Sequence, residues 1–160
     1  MDSFISLAQA ECKKKFGPGA LQKKTAEEDA QSFGAGRCVL LLRPLGRSSP
    51  VALVSTTTQR AGQGLAARVS YLFDGMRELV DTLADARLDD VVMPVLGAGH
   101  GRIEAPLAFV GLLLAVAEAA RYRRYLKRVT IVVFKRDADT PAQVDRLVAR
   151  RALALVGAPD

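Results

Sequence analysis

Tryptophan is absent from this 160-residue chain, and three tyrosines and six phenylalanines are its only aromatic residues. A core without large rings must be aliphatic, here mostly Leu, Val and Ala. Histidine occurs once, and the two cysteines, Cys12 and Cys38, have no metal-ligand spacing. That poverty excludes a zinc site, and neither a metal nor a cofactor is expected. Both thiols are read as reduced core residues. No basic-then-apolar leader opens the sequence, and the longest apolar run, Leu107 to Ala117, falls short of the roughly 20 residues that cross a bilayer. The expectation is a soluble, cytoplasmic chain with no membrane span of its own.

Hydrophobic residues make up 49% of the chain and charged ones 25%, the balance of one folded domain over residues 1–160. The net charge of +6 favours anionic partners without choosing among them. Small basic clusters lie at Lys13 to Lys15, Lys23-Lys24 and Arg121 to Lys127. They are read as solvated helix faces in preference to a nucleic-acid footprint.

Along the chain, Phe4, Ala8, Cys12 and Phe16 recur every four residues, with Ile5 and Leu7 beside them, which predicts an amphipathic helix over 2–16 stopped by Gly17-Pro18-Gly19. Residues 20–36 have no clear period and are expected to be loop, with a short helix near 26–31. Cys38 to Leu42 and Val51 to Val54 are apolar runs separated by turn residues, predicting an antiparallel pair. From Val69 through Leu72, Phe73, Met76, Leu79 and Val80 to Leu83, apolar residues mark one face of a four-turn helix.

The run Val91 to Leu96 is apolar at every position, which predicts a central strand covered by helices on both faces. A buried helix is expected near 105–122 and a strand over 129–134. Thr140, with Pro141 and Gln143, has capping-box spacing for a last helix to about Leu155, which Gly157 can end. This alternation of strands and helices gives the class α/β with a mixed sheet.

Between the 91–96 strand and the helix after it lies Gly97-Ala98-Gly99-His100-Gly101-Arg102. Glycines there let backbone approach an anion, successive N–H groups and a helix N-terminus offer donors, and Arg102 adds a forked charge suited to phosphate. A tight turn is the competing explanation of the same spacing. The motif is neither a Walker A loop nor a Rossmann fingerprint.

With Pro94 in the strand, the segment Val92 to Arg102 resembles the diphosphate-binding segment of macro domains, and more closely that of the macro domain in type II Thoeris antiphage effectors. The resemblance covers about residues 37–135. It implies a three-layer α/β sandwich with a mixed central sheet and helices on both faces. The strands with which macro domains begin find no counterpart before Phe4, so the expected sheet lacks them, and a bare edge would favour homo-oligomers.

The resemblance also implies that Gly97, Ala98, Gly99, His100 and Gly101 wrap a diphosphate and ribose, with Arg102 nearby, and that Thr56, Thr57 and the residues to Gln59 face the ligand cleft. Thr56 to Thr58 can equally be a strand end that satisfies its own backbone, and His100 an exposed loop residue.

Catalysis has little support, because only His100 and Glu104 offer acid-base groups near the loop, and Glu104 is favoured at a helix start anyway. The expected function is binding of ADP-ribose or an NAD-derived relative by a sensor, functionally linked to a TIR-domain enzyme in antiviral defence. An ADP-ribosyl hydrolase and a basic nucleic-acid binder are the alternatives.

Overall fold

The computed structural model describes residues 4–23, 29–60, 64–99, 101–134, 142 and 144–157. His100, Thr140, Pro141 and Gln143 lie outside the described residues. The architecture is mixed α/β, and it begins with helix α1 (Phe4–Phe16), which turns its four-residue stripe inward and leaves Ile5 exposed. Gly17, at a φ of +77°, closes it by donating to the Lys13 carbonyl.

The expected loop after α1 contains a strand pair instead. β1 (Ala20–Lys23) pairs antiparallel with β2 (Asp29–Ser32), so residues 29–31 are extended where a short helix was expected. Backbone pairing prevailed over the weak helical preference of an aperiodic stretch. β3 (Cys38–Leu41) and β4 (Val51–Val54) form the predicted antiparallel pair around a short 3-10 turn at Pro44–Gly46. Thr57 and Thr58 then begin a hairpin, β5 (Thr57–Arg60) with β6 (Gly64–Ala67).

Helix α2 (Val69–Asp85) buries Leu72, Met76, Leu79, Val80 and Leu83 of the predicted stripe, while Val69 and Phe73 are half-buried. It packs on α3 (Ala105–Tyr122), and both supply the larger core cluster with Cys38 and Met93. By length and composition α3 could cross a membrane, and it is the one such helix among the described residues. Leu112 and Ala115 are nevertheless fully buried against α2 and the neighbouring strands.

Strand β7 (Asp90–Pro94) pairs parallel with β8 (Arg128–Val132), the crossover being α3. Helix α4 (Arg146–Leu155) starts at Asp145, whose carboxylate accepts from the Leu147 amide at 2.8 Å. Its apolar side joins α3 in a second cluster around Val95, Phe109 and Leu113.

Two expectations about the sheet need correction. Among the described residues the strands pair as four two-stranded sheets, with no hydrogen-bonded ladder uniting them. Nor is the β7–β8 ribbon covered on both faces. Met93 is buried, yet Val92 is 66% exposed, and Val132 and Phe134 are likewise open. The apolar composition of residues 91–96 concealed a strand with one packed and one bare face.

Candidate functional site

The packed face of β7 aims the chain into the 97–102 loop, and the glycines there answer different steric demands. Gly97 adopts a φ of +85°, where an L side chain is strained, and a Cβ on it would meet Ile103 Cδ1 at 3.1 Å. Gly101 is buried, and a Cβ there would lie 2.6 Å from Ala67 Cβ and 2.7 Å from the Gly97 carbonyl oxygen. Gly99 differs from both. Among the described residues other than its chain neighbours, nothing lies within 4 Å of where its Cβ would be, so it faces open space at the tip.

Three hydrogen bonds hold this bend. Arg102 N–H donates to Gly99 O at 3.1 Å, Ile103 N–H to Gly97 O at 3.2 Å, and Ala67 N–H to Gly101 O at 3.0 Å. The last fastens the loop to β6. The amides of Ala98, Gly99 and Gly101 make no backbone hydrogen bond to another described residue. Arg102 is exposed, joins no ion pair among the described residues, and has a φ of +59°, the left-handed region that few non-glycine residues occupy.

Helix α3 begins three residues later. Glu104 is its N-cap residue but makes no side-chain capping bond, and no acidic residue lies in the first turn. The Glu104 carboxylate still sets a negative charge at the positive end of the helix, without a hydrogen bond to its amides.

Of the other predicted site residues, Thr57 is brought to the loop and Thr56 is turned away from solvent. Thr57 Cγ2 lies 3.2 Å from the Cβ position of Gly101, whereas Thr56 is only 9% exposed. Thr57 and Thr58 also line a 330 Å³ cavity with Phe16, Phe33, Arg37 and Ser55, where the Arg37 guanidinium sits 5.1 Å from the Phe16 ring centre. None of the described residues from Gly97 to Arg102 lines that cavity. Thr57 is thus the residue common to cavity and loop.

Sequence reasoning missed Ala67 and Ile103, which shape the loop from outside. Ala67 belongs to the β5–β6 hairpin, whose sequence signal was the β-branched pair Thr57-Thr58 followed by glycines at 62 and 64.

Some of the charge elsewhere is balanced locally. In the Arg121 to Lys127 cluster, Arg123 pairs with Asp81 at 2.8 Å and Lys127 with Asp89 at 2.6 Å. The Lys127 hydrogen bond and charge hold the Asp89 carboxyl below its ordinary range, and Lys127 is raised in return. Burial pushes the Cys38 thiol up to about 11. Among the described residues no three His, Cys, Asp or Glu side chains gather as a metal site would require. Comparison with protein-family models and with curated proteins finds no match to this chain.

Proposed function

We propose that the chain is a macro-like sensor domain that binds ADP-ribose, or a nucleotide derived from it, with the diphosphate on the Gly97 to Arg102 loop. The observation that carries this reading is the open tip at Gly99 beside amides with no described backbone partner. An anion there would gain several N–H donors and the Arg102 guanidinium, which joins no ion pair among the described residues. The left-handed backbone at Arg102 adds support, because strain of this kind persists where the surroundings impose it and is common at ligand clamps.

Thr57, beside Gly101, would border the bound nucleotide, and the resemblance of residues 92–102 to macro domains selects ADP-ribose among diphosphates. The same resemblance links the sensor to a TIR-domain enzyme as the source of the signal.

Titration calorimetry with ADP-ribose tests the proposal. Gly99→Val and Arg102→Ala should each weaken binding roughly tenfold or more, the first by blocking approach and the second by removing charge. A folded Gly99→Val variant that binds ADP-ribose with unchanged affinity would overturn it.

A further inference from the structure

We infer that the cavity lined by Phe16, Phe33, Arg37 and Thr57 binds a small organic carboxylate with a compact apolar body, its carboxylate on the Arg37 guanidinium. This goes beyond the proposed function and does not rest on it, because none of the described residues of the 97–102 loop lines the cavity. At 330 Å³ the space stands near the lower end of the roughly 300 to 1,000 Å³ typical of ligand pockets, which suits a compact molecule in preference to a dinucleotide.

The walls set the body of the ligand. Phe16 of α1, Phe33, and Leu53 and Val54 of β4 form an apolar lining. Cys12 and Cys38 add two thiols, both raised by burial, Cys38 to about 11, so neither carries a negative charge at neutral pH that would repel an anion.

Charge sets the head group. Arg37 is the one charged residue among those that line the cavity, and no carboxylate lines it. Its guanidinium, 5.1 Å from the Phe16 ring centre, makes no ion pair or hydrogen bond with the side chain of another described residue. Lys15 also lies over that ring, at 5.3 Å, but is held by Glu78 and Thr82. The backbone fixes where Arg37 stands, since Ser55 N–H donates to Arg37 O at 2.8 Å and Gly36 N–H to Ser55 O at 2.7 Å. Ser55, Thr57 and Thr58 line the same cavity with three hydroxyls. A guanidinium fork grips a carboxylate through two parallel hydrogen bonds, and hydroxyl donors can fill its remaining acceptor sites. A diphosphate draws on more donors than one arginine, and the amide-rich loop that would supply them lies outside this cavity.

The test is an NMR titration of the isotope-labelled full chain with naphthoate and with its uncharged counterpart, naphthamide. Naphthoate should give saturable shifts in the amides of Arg37, Cys38, Ser55 and Thr57 at or below about 1 mM, and naphthamide should bind roughly tenfold more weakly. Arg37→Gln should erase that difference, whereas Gly99→Val should leave the naphthoate affinity unchanged, because the loop tip is not part of the cavity. No saturable binding, equal affinity of the native chain for acid and amide, or shifts confined to the 97–102 loop would each overturn the inference. The comparison of acid with amide needs no variant, so it decides the matter even if Arg37→Gln does not fold. Failure of ADP-ribose to bind would strike the loop's proposed role and leave this site standing.

Discussion

Gly101 and Gly99, two residues apart, predict opposite outcomes. Adding a methyl group at Gly101 forces it into Ala67 and the Gly97 carbonyl, so Gly101→Ala should destabilise the fold by about 1 to 3 kcal/mol. Gly99→Ala meets empty space and should leave the thermal midpoint in place. Differential scanning calorimetry of the two variants separates a packing glycine from one facing open space, and equal loss in both would refute that division. Cys38 makes a pH-dependent prediction. Its thiol titrates near 11 in the folded chain, against 9.0 ordinarily, because burial disfavours the thiolate. The unfolded chain therefore loses this proton first, so the contribution is complete below pH 9 and disappears as pH climbs through 11. Urea midpoints at pH 8 and 11 should fall more for the native chain than for Cys38→Ala. The loop's spacing was legible in the sequence at this scale, but not which glycine packs and which is open, since that depends on Ala67 from a distant hairpin.

Helix α2 was readable from its periodicity, because it buries one apolar stripe, and α3 from an apolar composition nearly all round, because it is buried between α2 and the strands. The ends were less so. Helix α2 finishes with Arg87 at a φ of +58°, its amide donating to Ala84 O and the Leu88 amide to Leu83 O, a Schellman arrangement with arginine where glycine is usual. Arg87→Gly should stabilise the chain by about 1 kcal/mol in chemical denaturation, since it relieves left-handed strain without removing a described contact. Helix α1 is held by one side chain more than by burial. Lys15 Nζ donates to the Cys38 carbonyl at 2.9 Å and to Thr82 Oγ1 at 3.0 Å, and pairs with Glu78 at 2.7 Å. Lys15→Ala should cost about 1 kcal/mol, discounted for partial exposure, and should speed amide exchange in α1 ahead of α2. Nothing local in the sequence announces this three-way link, because its partners lie on β3 and α2. The hairpin of β1 and β2 was equally hidden, its four-residue strands being too short and polar to show a period.

The whole molecule follows the α/β alternation read from the sequence, while the joining of its strands does not. An apolar run such as Val91 to Leu96 records that a strand is greasy and says nothing about how many neighbours it has. The positive net charge adds a prediction at this scale. Under the proposed function, association with ADP-ribose should slow as ionic strength rises, while dissociation changes less, and stopped-flow measurements at two salt concentrations check it. The uncovered ribbon of β7 and β8 also governs how a purified stock keeps. Like charges hold neighbouring molecules apart in dilute buffer, and concentrated salt removes that barrier while leaving the greasy rim intact. A tube stored in strong brine should cloud before one kept in weak buffer, and the first residues to lose their signal should be those around Val92.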